Sequence, residues 1–191
     1  TNHISVIVSN LAVAAAAMYG DDPENPSFEP WLSGILGKMK LFMDRTYYPD
    51  GGYGEPIGYE NMATRDLVEA LYVMERTFGI DWTTTTNLKE LWRYPLHGAY
   101  SNSRMPGYGD TGVISGWGWT GLPFLWLSYR TQNPYTAYYT QPYMDQDRGG
   151  LWKFLWYTKG LPVKSREELV PSHHFPVKGT GCFARVRTTD L

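Results

Sequence analysis

Ile4–Met18 is the segment that most restricts the fold, because it is apolar and closes in an alanine run. A secretory leader would carry a positively charged head, which is missing here, and Ser9 and Asn10 interrupt the apolar run. The stretch is also too short to span a bilayer. It therefore reads as a buried helix over Asn2–Gly20, and its small side chains predict close packing against another helix.

The rest of the chain continues in the same way. Gly20 closes the first helix, and Asp21–Pro30 reads as a polar loop. Trp31, Ile35, Met39, Phe42 and Met43 recur at steps of three and four, which predicts a second helix over Trp31–Thr46. Tyr47–Gly58 is a glycine-rich loop with two prolines. A third helix follows over Asn61–Phe78, with Leu67, Leu71, Val73, Met74 and Phe78 apolar and Gly79 as its stop. Asn87–Tyr100 reads as a fourth helix that Pro95 bends or ends. Ser101–Gly118 is a long glycine-rich loop, Thr120–Thr131 a strongly apolar helix, and Gly150–Tyr157 a shorter one. Leu161–Pro176 has the texture of a linker, and Gly181–Arg187 alternates like a strand.

Helices joined alternately by short and long connections predict a layered, mainly α array over residues 1–160. One strand cannot stabilise itself, so 161–191 is expected to be a linker and the start of a β-domain. On this reading the chain is an internal piece, truncated at both ends.

Charge and composition narrow the functions. Residues 1–147 carry a net charge of −7 and residues 148–191 a net charge of +5, so the C-terminal quarter can face an acidic partner or be a solvated face with ordinary strand-edge lysines. The single cysteine, Cys182, rules out an intrachain disulfide and is expected to be a buried structural thiol. Walker, Rossmann and zinc-finger patterns are missing, and neither a nucleic acid nor a membrane is expected as partner. Asp145 and Asp147 hint at calcium, but an EF-hand counted from Asp145 places Trp156 where a bidentate Glu is needed. With 8 Trp, 15 Tyr and 7 Phe, the chain has many flat faces that suit sugar rings, although helical domains bury aromatic residues in any case.

Two places combine chemistry with position. Asn2 and His3 open the first helix, and Asp50-Gly-Gly-Tyr-Gly-Glu-Pro-Ile-Gly-Tyr59 leads into the third. Helix starts present polar side chains and free N–H groups to anions, and glycines let the backbone approach a ligand. From the residues alone, Asn2 as an N-cap, His3 as a surface histidine and Tyr59 as a helix-entry aromatic is the favoured reading.

The stretch TYYPDGGYGEPIGYENMATRDLVEALYVMERTFGID resembles the heparinase II/III-like polysaccharide lyases (the alginate lyase and heparinase type). That family has a D-G-x-x-x-E-x-x-x-Y loop, matched here by Asp50, Gly51, Glu55 and Tyr59. It also has an Asn-x or Asn-His pair opening a small-residue helix some 55 residues upstream, and His3 precedes Tyr59 by 56. Met105–Gly112 resembles the family's later loop, with Asp110 as the matching acid, and Ser172–Pro176 resembles its passage into the β-domain.

The resemblance implies a partial (α/α) toroid followed by the first strand of a β-sandwich. It also implies β-elimination on a uronic-acid polysaccharide by a secreted or periplasmic bacterial enzyme. Asn2, with His3 beside it, would hold the uronate carboxylate, and Tyr59 would shuttle the proton. Glu55, Tyr53, Arg104, Tyr108 and Asp110 are the substrate-side candidates, with Glu55 also read as a loop anchor that bonds backbone or orients Tyr59 and Arg104 as an ordinary loop arginine. The family's second catalytic histidine lies in an H-x-H-A-D-like segment of the β-domain that has no counterpart here. His97 and the pair His173-His174 therefore read as structural. No cofactor is expected in this chain, and a structural metal would belong to the rest of the β-domain. Two alternatives stay open: a toroidal glycoside hydrolase using Glu55 and Asp110 (with Glu60 a further carboxylate), and a non-catalytic carbohydrate-binding module.

Overall fold

The computed structural model describes residues 2–19, 21, 28–98, 104–105, 114–115, 121–144, 150–165, 168, 173–174 and 184–185. Over these residues the chain is mainly helical. α1 spans Asn2–Met18, α2 Phe28–Thr46 and α3 Ile57–Phe78. Two short helices follow, α4 (Trp82–Thr85) and α5 (Arg93–Gly98), with a 3-10 turn at Asn87–Glu90 between them. α6 covers Gly121–Thr131, α7 Pro134–Met144 and α8 Gly150–Trp156. None of the described helices is long and apolar enough to cross a membrane.

Side-chain contacts give the directions. Asn2 meets Met62, Ser5 meets Ala63, and the Tyr19 ring lies edge-on to Phe78 at 5.0 Å, so α1 and α3 run parallel and side by side. Ser5 meets Ala63 in this contact, and the buried positions of the two helices include the small residues Ala12 and Ala15 on α1 and Ala70 on α3, in keeping with the close packing that the alanine run predicts. α2 returns antiparallel: Phe28 lies by Tyr19, and Tyr47, just past its end, hydrogen-bonds Thr64. α6 is parallel to α3. Phe124 lies near Glu60 at the head of α3, and Arg130 pairs with Glu75 toward its tail at 3.0 Å. α7 then returns along α6, with Thr136 against Ser128 and Tyr143 over Gly121, where a Cβ would enter the ring. Three parallel helices with antiparallel returns therefore place the heads of α1, α3 and α6 at one end.

Several boundaries differ from the sequence reading for physical reasons. α2 starts three residues early and takes Pro30 into its first turn, where a missing N–H costs nothing. Leu32, rather than the exposed Trp31, joins Ile35, Met39, Phe42 and Met43 in the core. α3 begins at Ile57, so Tyr59 lies in a helical turn and not in a loop, and Gly79 caps its end in the left-handed conformation. The expected fourth helix is broken into the 3-10 turn and α5, and the threonine run before it is helical. α7 was not expected. Asn133 accepts the N–H of Tyr135 at 2.9 Å, and Pro134 supplies a preset first turn, a capping arrangement that needs no apolar stripe.

Short antiparallel ladders pair β1 (Arg104–Met105) with β2 (Ile114–Ser115), and β3 (His173–His174) with β4 (Ala184–Arg185). The predicted strand thus finds its partner in a segment read as linker. Gly20, Cys182, Asp145 and Asp147 lie outside the described residues.

Arg130 also reaches Asp81, at 3.1 Å, which caps α4 through the N–H and hydroxyl of Thr84. The two acids respond in opposite ways. Burial and the Asp81 charge outweigh Arg130 at Glu75 and raise its pKa, whereas at Asp81 the Thr84 hydrogen bonds and Arg130 together overcome burial and lower it. Asp81 therefore stabilises the fold above its unfolded pKa, roughly 3.9, and this is lost as the pH falls through its lower folded value. Asp81→Asn is expected to lower the urea midpoint at neutral pH, with the gap from wild type closing in acid below about pH 4. A gap independent of pH would show that the carboxylate charge is irrelevant.

Candidate active site

The site is built from the heads of α1 and α3. Ser5 Oγ donates to the Ala63 carbonyl at 2.7 Å in the buried seam and fixes the register of the two helices. Asn2, 7% exposed, points its amide nitrogen at Met62 Sδ, 3.8 Å away, while its Oδ1 accepts the His3 N–H at 2.9 Å. A thioether is a weak acceptor, so a carboxylate could take over that amide at little cost. The His3 side chain is exposed.

Tyr59 is half-buried in the first turn of α3, three residues before Met62. Residues at that spacing share a helix face. The Asn2–His3 pair and Tyr59 thus belong to the same end of two adjacent parallel helices.

The preceding loop is folded tightly on itself. Tyr47 and Tyr53 form an isolated antiparallel bridge, Tyr48 N–H donates to the Gly52 carbonyl at 2.9 Å, and Asp50 Oδ1 accepts the Gly52 N–H at 2.9 Å. Gly51 has φ +88°, and a Cβ there would collide with the Glu90 carbonyl oxygen and the Arg93 side chain, so only glycine serves both demands. Asp50 thus organises the turn.

This folding corrects one expectation. Tyr53 is 0% exposed and packs against Tyr47 with ring centroids 5.2 Å apart, so it supports the loop from inside and does not face a substrate. The bridge turns its side chain inward, and burial pushes both phenols well above the ordinary tyrosine range. Glu55 is half-buried, with one carboxylate oxygen enclosed. Arg104 contributes its backbone to β1, and its side chain, together with Tyr108 and Asp110, lies outside the described residues. His97 is buried in α5.

A group not singled out as central lies beneath this surface. Glu60 and Asn61 are 2% and 6% exposed, and together with Thr64 they line a small cavity bordered by Leu91, α5 and α6. Glu60 Oε2 and Asn61 Oδ1 have no hydrogen-bond partner among the described residues. Burial raises the Glu60 pKa well above the usual carboxylate range. Its position was readable, since Glu60, Thr64, Leu67, Leu71 and Met74 recur at steps of four and three along the buried face. Starting the helix at Asn61 concealed it.

A larger cleft of about 270 Å³ lies between α6, α7 and residues 157–163. Two of its hydroxyls are committed, Ser128 to the Phe124 carbonyl and Thr140 to that of Ala137. Among the described residues, no three His, Cys, Asp or Glu side chains gather closely enough to hold a metal. No protein-family model, curated protein or solved structure was found to match the chain.

Proposed function

We propose that the chain is part of a heparinase II/III-like polysaccharide lyase that cleaves uronic-acid polysaccharides by β-elimination. The observation that supports this reading is that Asn2, His3 and Tyr59 lie at the same end of the parallel pair α1 and α3. The same proposal takes the three parallel helices and their returns as an arc of an (α/α) toroid. Residues 161–191 are then the passage into a β-sandwich, and the whole protein works in the periplasm or outside the cell.

The chemistry assigned to each group follows from the reaction. The C5 proton of a uronate is a poor acid until its carboxylate is neutralised. The Asn2 amide, with the His3 imidazole beside it, would donate hydrogen bonds to that carboxylate as negative charge develops on it. Such donors act most strongly on the charge that appears in the transition state. Tyr59 would then take the C5 proton, C4 and C5 become doubly bonded, and the C4–O bond breaks. The departing oxygen takes a proton, from Tyr59 or from the second catalytic group expected in the β-domain. A free tyrosine titrates near ~10, so a neighbouring cation or oriented donors must favour the phenolate before it can act as a base. The carboxylate-bearing substrate is the class of ligand expected at this end.

Incubating the full-length protein with a panel of uronate polysaccharides is expected to yield products with the ultraviolet absorbance of an unsaturated uronate. Reducing ends released without that absorbance would replace elimination with hydrolysis, for which Glu55 and Asp110 are the carboxylates to test. Oligosaccharide binding with no turnover on any member of the panel would leave a carbohydrate-binding module.

A further inference from the structure

The head of α1 sets an amide against a thioether. Asn2 Nδ2 donates to Met62 Sδ across 3.8 Å, joining the first residue of α1 to the second turn of α3. Asn2 is buried, whereas Met62 is 40% exposed, so solvent reaches the methionine while the amide that meets it is held inside. The other described methionines are placed differently. Met39, Met43 and Met74 are buried in the core, and Met144 is half-buried. Met18 is 54% exposed but lies at the opposite end of α1 from Asn2. Met62 thus combines exposure with a hydrogen-bond donor that belongs to the candidate site.

We propose that Met62 is an oxidative modification site, and that its sulfoxide captures the Asn2 amide. The oxidant is hydrogen peroxide. The Sδ lone pair attacks one peroxide oxygen, and the S–O bond forms as the O–O bond breaks. The proton of the transferred oxygen passes to the other, which leaves as water. Sulfur is oxidised by two electrons, and the peroxide is reduced by the same two. The product carries a strongly polar oxygen acceptor where the thioether was a weak one. The amide already faces this sulfur, and the unbranched methionine side chain is flexible enough to turn the new oxygen toward it. Oxidation of Met39, Met43 or Met74 would put a polar group into the core, but at the exposed Met62 the added polarity costs the packing little. The modification is reversible, because methionine sulfoxide is returned to the thioether by dedicated reductases. On the proposed lyase mechanism, on which this consequence alone rests, a captured amide is withheld from the uronate carboxylate.

Limited hydrogen peroxide treatment of the folded full-length protein tests the proposal, read by peptide mass mapping, thermal denaturation and a crystal structure of the oxidised protein. Met62 is expected to gain one oxygen at doses that also convert Met18 and leave Met39, Met43 and Met74 unmodified. In the crystal structure the sulfoxide oxygen is expected within ~2.7–3.2 Å of Asn2 Nδ2. The thermal midpoint is expected to fall further on oxidation in Asn2→Ala than in the wild type, because only the wild type gains the new hydrogen bond. A Met62 that resists doses converting Met18, a sulfoxide oxygen turned away from Asn2, or equal midpoint shifts with and without the Asn2 side chain would each overturn the proposal. None of these readouts uses turnover, so a protein inactive on every uronate would end the lyase reading and leave this test intact.

Discussion

Tyr59→Phe is expected to reduce turnover of a uronate oligosaccharide by the full-length protein by about 10²- to 10⁴-fold, the usual contribution of a positioned acid–base group. The ring is half-buried in the first turn of α3, and phenylalanine keeps its packing while removing only the hydroxyl. Helix content and the urea midpoint are therefore expected to stay close to wild type, separating lost chemistry from lost folding. Asn2→Ala acts differently. On the proposed mechanism it removes a donor to the uronate carboxylate, and one such donor is worth roughly 10²–10³ in turnover. If both groups serve one transition state, as proposed, the double variant should lose less than the product of the single losses. Wild-type turnover in Tyr59→Phe, with the unsaturated product still formed, would remove this phenol from the mechanism. It would also remove the main reason for reading the heads of α1 and α3 as a catalytic face.

How much of this was legible depends on what each residue has to signal. α1 and α3 were readable because helical periodicity, small-residue composition and the Gly79 stop all agree with the packing they adopt. α7 gave no such signal. PYTAYYTQPYM has polar and aromatic residues on every face, and its helix is started by Asn133 and Pro134 and held by its packing on α6. Tyr53 failed in the other direction. A tyrosine in a glycine-rich loop looks available to a sugar, yet the backbone bridge to Tyr47 turns it inward, and that pairing depends on Gly51 approaching Glu90. Glu60 lay on a readable stripe but at its first position, where the helix start decides whether a residue counts as buried. The parallel relation of α1 to α3, on which the site rests, is a tertiary fact, carried by contacts such as Ser5 with Ala63 between residues far apart in sequence.

That tertiary relation also decides where the fold is most easily broken. Trp126→Ala is expected to destabilise the chain by about 3–5 kcal/mol, as truncation of a large buried aromatic commonly does. Trp126 is fully buried, and its ring meets Trp156 at 4.9 Å and Tyr72 at 6.0 Å, the latter nearly perpendicular. It thus joins α6 to α8 and to the middle of α3. Its indole N–H donates to the buried Thr83 hydroxyl of α4 at 3.0 Å, so truncation also strands a polar group. The Arg130 guanidinium lies 5.8 Å from the ring centre on its way to Glu75 and Asp81. One side chain therefore binds four helices and backs the ion pairs at the tail of α3. Trp126→Phe should recover much of the loss by refilling the space without restoring the Thr83 bond. Comparing both variants in a wild-type and a Thr83→Ala background by urea denaturation isolates the hydrogen bond. The expected order is wild type, then Trp126→Phe, then Trp126→Ala, with a Phe-to-Trp gap that narrows in Thr83→Ala. A Trp126→Ala cost within about 0.5 kcal/mol, the range of an exposed substitution, would mean that α6 does not pack on α3 through this ring. The cavity under Phe124 and the shared end of the three parallel helices would then lose their footing too.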